Sequence, residues 1–574
     1  MGYFLKKTKN NKGVYLQIYE SFYDPTRRQT AHRSVRPVGY VHELKAGGID
    51  DPVAHFKREV DAMNERRLEN ESRARVREIG EEGAERMLGY FPLKGVNSLL
   101  GVERDFGYLQ LHSGFRFSLY EMTSSLVYAR ACAPCSKSRT FHEVLPQLME
   151  ETGFTRDQMY EGLAFLGEEY EKVAEIYNAH VAELWPRDTA STYFDCTNFY
   201  FEIDREDGLR RKGPSKEHRP EPIVGLGLLL DAECIPIGMT VFPGNESEQP
   251  KLRELIADAK ARGGISGRTV RVADKGLNSA ANVADALLCG DGYIFSRSLK
   301  KLEAKELAWA LADDGWVDVP DGDGEVAYRL KEGVGEFGYD VAREGGGKRR
   351  VELPEKRIVT FNPALARKQL HEINRQVEKA RSLKASAAKR SEFGDCAKYV
   401  TFAAVDGNGE ATGERVAVSL NHEAIERARL LAGYNMIVTS ETDMAATDVY
   451  STYHNLWRIE ESFKVMKSQL DARPVYLRKP ETITGHFLIC YIAVLLLRLL
   501  QLKVLGGRWS SEDVMGFARG FRCAQVSERK YVNTSRKTPF LVALQEETGL
   551  PLKKFNLGKR DVDAIMGWKP ERHS

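Results

Sequence analysis

The sequence has little of what marks secreted, disordered or disulfide-stapled proteins. Its 574 residues include only eight cysteines, scattered from Cys132 to Cys523. Scattered cysteines fit a reducing cytoplasm better than a disulfide scaffold, so we expect a cytoplasmic protein. The composition, 42% hydrophobic and 29% charged, excludes wholesale disorder and collagen-like repeats.

Long hydrophobic runs are also lacking. Residues 1–20 contain lysines but no apolar segment typical of a signal peptide. The longest apolar stretch, Phe487 to Leu500, contains Arg498. It is about 14 residues long, short of the roughly 20 needed to span a bilayer. We predict a buried core helix there and no membrane association.

One C-x-x-C pair, Cys132 and Cys135, raises the question of a metal site. A structural zinc ion needs four ligands, and the nearest further candidate is His142. The sequence contains no second C-x-x-C pair, so a zinc or redox role is not favoured.

Net charge is almost absent, at +2, but charge is unevenly distributed. Residues 1–40 carry eight Lys/Arg and two acids, and residues 519–574 carry twelve Lys/Arg and six acids, +6 in each case. The remaining chain therefore sums to 2 − 12 = −10. Basic ends around an acidic body suit a protein that holds a polyanion at its periphery, although charge also varies along ordinary chains.

The first 190 residues predict a basic β-hairpin followed by helices. Segments 13–20 and 33–40 are rich in β-formers and flank the turn-prone residues 24–26. Residues 52–90 are rich in helix formers, and further helices are predicted over 140–151 and from Thr155, a plausible N-cap. The last two helices are interpreted as part of a bundle or, alternatively, as a helix-turn-helix.

From residue 190 the pattern predicts an α/β fold with a mixed five-stranded sheet and flanking helices. Three strands with short links form a meander, and two later strands each follow a helix, which permits parallel addition. The predicted strands span 192–203, 223–231, 235–242, 269–273 and 292–298. A β-rich insertion with a basic helix over 363–390 is predicted between the fifth strand and the next long helix. The basic residues of that helix are Arg367, Lys368, Arg375, Lys379, Arg381, Lys384, Lys389 and Arg390.

Two aspartates stand out on this sheet. Asp195 lies inside the first strand among aromatic residues, where a charge is costly unless it is paired or binds a cation. Asp274 ends the fourth strand, and ligands of α/β sheets bind beyond the carboxyl ends of strands. The two strands should be neighbours, so both carboxylates should meet at one edge, as Mg²⁺ requires.

A third carboxylate is predicted on the helix 453–470. At about 100° per residue, Tyr453, Glu460, Lys464 and Lys467 form one band beside the apolar stripe, while Glu461 should point to solvent. Geometry therefore selects Glu460 as the inward-facing acid. Such a band could combine metal binding with phosphate contacts, or it could be the solvated flank of an ordinary amphipathic helix.

Together these residues resemble a DDE transposase of bacterial insertion sequences, which has a ribonuclease-H-like catalytic core. Asp195 resembles the first aspartate of that family, and 272–276 (VADKG) resembles the second-aspartate motif. Tyr453, Glu460 and Lys467 match the spacing of the family's Tyr-x2-Arg-x3-Glu-x6-Lys signature. Leu456 stands at the Arg position, and Arg458 is a possible substitute. The likeness covers about 115–500 and extends to short motifs at 215–216, 243–245, 473–476 and 485–486.

The resemblance implies two-metal phosphoryl transfer with Mg²⁺, for which Mn²⁺ would substitute. Asp195 would bridge two ions, and Asp274 and Glu460 would each hold one. Water would cut the end of the element, and the freed 3′-OH would attack target DNA. The implied partners are double-stranded DNA, at the element's ends and at the target, and a second copy of the chain in a dimer on DNA. The implied location is the bacterial cytoplasm, at the nucleoid.

The expected DNA contacts come from the helix and from a basic loop after the first strand. The alternative interpretation of the basic loop is a solvated turn, because four acids lie between 205 and 221. The expected contact residues are Tyr453, Arg458, Lys464, Lys467, Arg210, Arg211, Lys212, Lys216 and Arg219.

Three alternatives to a transposase remain open from the sequence. One is a nuclease of the same fold that cuts without joining. Another is a domesticated DNA-binding or scaffold protein, which would gain nothing from three clustered carboxylates. A two-carboxylate glycosidase is more distant, since it would not need phosphate-gripping lysines.

The predicted organisation has six parts. They are a basic hairpin region (1–50), a helical, possibly DNA-binding region (51–188), the first part of the catalytic core (189–299), the β-rich insertion (300–442), the last part of the core (443–505) and a basic C-terminal region (506–574).

Overall fold

The structure is a computed structural model that describes residues 2–24, 29–75, 83–111, 113–214, 220–342, 346–385, 394–405, 415–473 and 475–571. The chain divides into two compact units, Met1–Ala84 and Glu85–Ser574.

The first unit is a three-stranded antiparallel sheet with two helices. Its elements are β1 (Tyr3–Asn10), β2 (Gly13–Asp24), β3 (Gln29–Tyr40), α1 (Val41–Ala46) and α2 (Pro52–Arg75). The alternation in β2 places Leu16 and Ile18 on one buried face, and Val60 of α2 is buried with them. The predicted hairpin is confirmed as β2–β3, and β1 extends it by one strand.

The predicted helix over 52–90 is too long. Helix α2 ends at Arg75, and residues 85–87 form a strand, β4 (Glu85–Met87), that pairs with a strand near the C-terminus. That pairing partner lies more than 430 residues away, so local helix propensity could not reveal it.

The second unit begins with a helical layer. Its α-helices are α3 (Phe91–Leu100), α4 (Glu103–Gln110), α5 (Leu119–Cys132), α6 (Lys137–Arg139), α7 (Arg156–Glu168) and α8 (Tyr170–Leu184). The predicted α-helix over 140–151 is wrong: a π-helical turn (Thr140–Val144) and a 3₁₀ turn (Leu145–Gln147) replace it. Pro146 has no N–H to continue an α-helix, which accounts for the change.

Helix α7 begins as predicted at Thr155. The Thr155 side chain accepts a hydrogen bond from the Gln158 N–H, and the Gln158 side chain accepts one from the Thr155 N–H, a capping box. At Gly167 and Gly485 α7 packs so closely on the later helix Pro480–Leu499 that a Cβ on Gly167 would lie 1.8 Å from the Glu481 carbonyl oxygen. This packing supports the bundle alternative over a helix-turn-helix.

The five predicted strands are present in the predicted arrangement. They are β5 (Ser191–Tyr200), β6 (Ile223–Leu230), β7 (Pro236–Pro243), β8 (Val270–Ala273) and β9 (Gly292–Arg297), with helices α9 (Gln249–Ala261) and α10 (Ala280–Leu288) between the later ones. Strands β5, β6 and β7 form an antiparallel meander. Strand β8 adds parallel to β5, and β9 adds parallel to β8.

The sheet is larger than the predicted five strands. Strands that were expected in a separate insertion extend the same sheet. The added elements are α11 (Ala304–Leu311), β10 (Val317–Pro320), β11 (Val326–Ala342), β12 (Lys348–Phe361) and β15 (Tyr434–Thr439). The strand order of the whole sheet is β10-β11-β12-β15-β9-β8-β5-β6-β7. Strand β15 pairs antiparallel with both β9 and β12 and so joins the two parts.

The middle of the predicted insertion has a small core of its own. It consists of α12 (Pro363–Ala385), a 3₁₀ turn (Gly394–Tyr399), the hairpin β13 (Val400–Val405) and β14 (Arg415–Leu420), and α13 (His422–Leu430). Its buried residues include Ile373, Val377 and Ile425. The basic residues of α12 from Arg367 to Arg381 are exposed, whereas Lys389 and Arg390 lie outside the described residues.

The chain continues with α14 (Ala446–His454), α15 (Trp457–Lys464), a π-helical turn (Val465–Gln469), α16 (Pro480–Leu499) and a second π-helical turn (Leu500–Val504). By length and composition alone, residues 480–504 would suffice to cross a membrane, but 83% of its most apolar window is buried inside the protein. The prediction of a buried core helix over 487–500 is confirmed.

The C-terminal region folds back on the start of the second unit. It contains α17 (Ser511–Gly520), β16 (Arg522–Ser527), β17 (Lys530–Asn533), α18 (Pro539–Thr548), β18 (Asn556–Gly558) and α19 (Lys559–Met566). Its strands form a four-stranded sheet with β4, in the order β18-β17-β16-β4.

Candidate active site

Strand β5 places Asp195 on the face of the large sheet that α16 covers. Alternation puts Tyr193, Asp195 and Phe199 on one face, and Tyr193 and Phe199 belong to the core shared with α16. Phe194 and Cys196 belong to a separate core on the opposite face. Asp195 is half-buried. A carboxylate thus interrupts an otherwise apolar and aromatic face.

The parallel pairing of β5 with β8 brings the second aspartate beside the first. The register pairs Tyr193 with Val272 and Phe194 with Ala273, so the next step along both strands places Asp274 opposite Asp195. Adjacent strands lie about 4.8 Å apart, and side chains opposite each other in a parallel pair share a face. The register of β5 and β8 therefore directs Asp195 and Asp274 to adjacent positions where β8 ends.

A tyrosine from helix α14 is directed to the same place. The Tyr453 hydroxyl donates a hydrogen bond of 3.2 Å to Oδ1 of Asp274. Burial and the neighbouring Asp274 charge raise the pKa of Tyr453, so the phenol remains a proton donor at neutral pH. Tyr453 thereby connects α14 to Asp274.

The helix predicted over 453–470 is not continuous. Helix α14 ends at His454, and the chain turns at Asn455 and Leu456 before α15 begins. A π-helical turn follows from Val465. These irregularities invalidate a constant 100° step between Tyr453 and Lys467, which is the assumption behind the predicted band.

Helix α15 nevertheless runs along β5. Asn455 Nδ2 lies 3.5 Å from the Tyr193 hydroxyl, and Lys467 Nζ lies 5.6 Å from the centre of the Phe199 ring. Asp195 stands between Tyr193 and Phe199 on the same face, so the helix passes over it. Glu460 lies on the crossing segment, between Asn455 and Lys467.

The two adjacent glutamates have different environments. Glu461 was expected to point to solvent, but it is half-buried: its Oε2 lies 3.1 Å from Nη2 of the buried Arg498, and its Oε1 accepts a hydrogen bond from the Ser511 hydroxyl. Glu460 is exposed and has no hydrogen-bond or ion-pair partner among the described residues. The expectation that Glu461 points to solvent is therefore wrong, because Glu461 forms an ion pair with Arg498. Glu460 is the exposed carboxylate of the two.

The remaining basic residues of this helix differ in exposure. Lys464 is exposed and forms an ion pair of 2.9 Å with Glu512 of α17. Lys467 is half-buried over Phe199. Arg458 is half-buried beside Trp457 and close to Cys234, whose pKa burial raises to about 11 in spite of the nearby guanidinium. Of these three side chains, Lys464 is exposed and the other two are half-buried.

The predicted basic loop is only partly described. Arg210 is mostly buried: it pairs with Asp207 and donates to the carbonyl oxygens of Leu477 and Arg478, which is a structural role. Arg211 is half-buried in a β-bridge to Ile223, and Lys212 is exposed. Lys216 and Arg219 lie outside the described residues.

A basic cavity that the sequence analysis missed adjoins Asp274. It has a volume of about 320 Å³, and its charged lining residues include Lys275, Arg297, Lys300 and Lys398. Lys275 directly follows Asp274, and Arg297 ends β9, the next parallel strand. Their positions at strand ends were the available signal. Lys398 comes from the 3₁₀ turn of the inserted subdomain, a proximity that only the tertiary structure reveals.

The donor set suits a hard divalent cation in part. Mg²⁺ is commonly held by one or two carboxylates, with water and phosphate oxygens completing its shell, and Asp195 and Asp274 supply two. No group of three or more His, Cys, Asp or Glu side chains within the described ranges is close enough together to hold a metal ion. The strand register brings Asp195 and Asp274 to adjacent positions, and Glu460 does not join them in a three-ligand group among the described residues.

The sequence matches a family model described as "Transposase DDE domain" over residues 208–496, half of the chain. The match includes Asp274, Tyr453 and Glu460 but begins after β5, so it leaves out Asp195. No curated protein matches the chain.

Proposed function

The chain belongs to the transposase DDE domain family, and from that premise we propose that it cuts DNA at the ends of an insertion sequence and joins the freed 3′-OH to target DNA. Family membership makes it a transposase that acts on DNA. The proposal adds the cut-and-join chemistry, a ribonuclease-H-like core formed by β5 to β9 with their helices, and the catalytic carboxylates Asp195, Asp274 and Glu460.

The observation that carries this proposal is the register of β5 and β8. It sets two carboxylates side by side at the end of a strand, on the face crossed by the helix of Glu460. Two adjacent carboxylates are a donor set that a divalent cation can bind together with water and phosphate oxygens.

We assign Asp195 and Asp274 as metal-holding residues and Glu460 as the third, recruited when DNA is bound. Mg²⁺, or Mn²⁺ in its place, would supply charge neutralisation and activation of the attacking oxygen in phosphoryl transfer. Transposases of this family generally use divalent metal ions, which supports this assignment. Tyr453 acts as a positioning residue, because its hydroxyl holds the Asp274 carboxylate.

DNA contacts are assigned around this centre. Lys464 and Lys467 are proposed to hold phosphates beside the scissile bond, and Lys212 with Arg211 to hold flanking DNA. The cavity lined by Lys275, Arg297, Lys300 and Lys398 would extend the path of the strand away from Asp274. Arg210 is left out because its guanidinium is already engaged within the protein.

The proposed partners are two transposon ends, the target DNA and a second copy of the chain on DNA, in the bacterial cytoplasm. A dimer follows from the chemistry, since mobilising an element requires both ends to be brought together.

The test is a cleavage and joining assay with DNA that carries the native ends, in the presence of Mg²⁺. Asp195→Asn, Asp274→Asn and Glu460→Gln should each lower cutting by about 10³-fold or more, because positioning and charge neutralisation provide most of phosphoryl-transfer catalysis. Asp448→Asn, an exposed acid on α14, is the matched control and should retain activity. DNA binding, measured by gel shift, should survive in all four variants.

Other results would favour the alternatives. Cutting without joined 3′-OH products would indicate a nuclease. DNA binding with no metal-dependent cutting by the wild type would indicate a binding protein. Full activity of Glu460→Gln would remove Glu460 from the active site.

A further inference from the structure

A second cavity lies apart from the carboxylates and has the opposite charge. It has a volume of about 560 Å³, within the range of small-molecule sites. It is bordered by the end of α5, the segment 134–139, residues 471 and 475–477, and the first half of α16. None of its lining residues belongs to the proposed catalytic set.

Three basic side chains, each more than nine-tenths buried, line this cavity: Arg130, Lys137 and His486. Lys137 is the most unusual, because a lysine is almost never fully buried without a carboxylate partner. Its ammonium has one hydrogen-bond contact among the described residues, at 3.3 Å to Nδ1 of His486. The other two N–H donors have no protein acceptor in the parts of the chain that the structure describes.

His486 does not compensate this charge. Its Nε2 lies 3.4 Å from the Ala472 carbonyl oxygen, so Nε2 is the donor and Nδ1 accepts from Lys137. Burial and the two neighbouring cations hold the pKa of His486 well below its usual value, which keeps the ring neutral. His486 therefore orients the ammonium without neutralising it.

Arg130 adds a second cation, which forms no ion pair with a carboxylate of the described residues. Its guanidinium donates to the carbonyl oxygens of Leu470, Asp471 and Cys135, which satisfies hydrogen bonds but leaves the charge. Of the other charged lining residues, Arg139 is exposed and paired with Glu143, and Asp471 is exposed. Asp471 forms no ion pair with Lys137 among the described residues.

We propose that this cavity is a phosphate-binding site, in which Lys137 and Arg130 receive a phosphate group with its charge. Phosphate is the anion class that offers several strong acceptors to Lys and Arg donors. Ser136 and Ser138 line the same cavity and supply hydroxyl donors. Buried uncompensated cations are costly, and a bound anion would repay that cost.

The phosphate has two candidate sources, a phosphodiester of a DNA strand or a free phosphorylated compound. Tyr476 favours the strand, because it lines the cavity and its side chain is 67% exposed, as an aromatic platform for a base requires. Tyr160 and Tyr476 also line a neighbouring cavity, so a strand could continue past the first one.

The first experiment measures the unfolding temperature of the full chain with increasing inorganic phosphate, against chloride at equal ionic strength. Phosphate should raise the unfolding temperature of the wild type, as any ligand of the folded state does. Lys137→Met should weaken phosphate binding at least tenfold. Lys305→Met, which removes an exposed lysine from another helix, should behave as the wild type.

Folding of Lys137→Met is checked by its unfolding temperature without phosphate, which should not fall, since an apolar side chain replaces a buried charge. Equal phosphate responses in wild type and Lys137→Met would overturn the proposal, and so would no response in any protein together with unchanged DNA binding.

The second experiment separates the sources with a short single-stranded oligonucleotide. If DNA is the source, Lys137→Met and Tyr476→Ala should both lower its affinity, and Tyr476→Ala should leave inorganic phosphate binding unchanged. If oligonucleotide affinity is unchanged in both variants while Lys137→Met loses inorganic phosphate, the site takes a free phosphate compound. A catalytically dead Asp274→Asn protein should give the same binding results, so this proposal is tested separately from the proposed function.

Discussion

The edge of the sheet at Asp195 and Asp274 and the cavity of Lys137 and Arg130 hold ionisable groups in different surroundings. Asp274 is exposed and Asp195 half-buried, so water reaches both carboxylates. Lys137 and Arg130 are more than nine-tenths buried, so water solvates them poorly. The aspartate edge can therefore exchange ligands with solvent, whereas the charged forms of the two buried basic groups carry an energetic cost.

This difference in burial indicates which of the two regions requires a functional explanation. Exposed acids are common and need no ligand to be stable, so the case for Asp195 and Asp274 depends on their register and on Tyr453. A buried lysine without a carboxylate partner is rare, so the cavity itself calls for an explanation. If burial governs both regions, substitutions in the cavity should change stability more than substitutions of exposed residues at the aspartate edge.

The largest effect on stability is expected at Lys137. Burial, followed by the nearby Arg130 charge, lowers the pKa of Lys137 to about 7 in the folded protein, against roughly 10.4 unfolded. Below pH 7 both states hold the proton; between the two values the unfolded state binds more protons, so stability rises with pH. Relative to Lys137→Met, the wild type should gain on the order of 4 kcal/mol between pH 7 and pH 10.

Denaturant unfolding of both proteins across that pH range measures this difference. Parallel stability curves would mean that Lys137 is not a buried charge. The titratable and charged groups that face Lys137 are Arg130, His486, Cys135 and Cys490. Saturating phosphate should flatten the wild-type curve of unfolding free energy against pH, because a bound anion keeps the Lys137 ammonium protonated.

The next effect separates the adjacent glutamates of α15. Glu461→Gln should lower the free energy of unfolding by about 3 kcal/mol, because it leaves the buried Arg498 without its carboxylate. Glu460→Gln should leave stability unchanged, since Glu460 is exposed and has no partner among the described residues.

Urea unfolding of the two variants, with cleavage assayed in parallel, provides the readout. We expect Glu461→Gln to be less stable yet able to cut at low temperature, and Glu460→Gln to be stable and inactive. The reverse pattern would exchange the roles of these two residues.

The smallest effect is expected at Lys464, on the open side of the aspartate edge. Its ion pair with Glu512 is fully exposed and should contribute little to stability. Lys464→Ala should therefore leave the unfolding temperature nearly unchanged while reducing the slope of log affinity for DNA against log salt by about one.

Titration of DNA binding at several salt concentrations checks this, with Lys305→Ala as an exposed control. An unaltered salt slope would mean that Lys464 makes no phosphate contact.

Much of the fold near the site was predictable because the relevant signals are local. The β-β-β-α-β-α-β pattern predicted the meander, the two parallel strands and the adjacency of Asp195 and Asp274, since short links and helical crossovers permit few arrangements. Thr155 was correctly predicted as a cap because its partner, Gln158, lies three residues away.

The errors arose where distant residues compete with local pattern. The turn at Asn455 interrupts a sequence that has good helical periodicity, and Glu461 pairs with Arg498, which lies 37 positions later. Residues 85–87 have helical neighbours in sequence but pair with β16. None of these partners is visible in a window of helical length.

The sequence by itself determined the order of the five central strands along the chain, the positions of Asp195 within β5 and of Asp274 after β8, and the apolar core helix, because periodicity and chain reversal are local properties. Only the tertiary structure decided which glutamate is free, how the strands after β9 enlarge the sheet, and that Lys137 meets His486 across 349 positions. Contacts of that kind depend on how packed elements share burial and charge, and that information is spread over the whole chain.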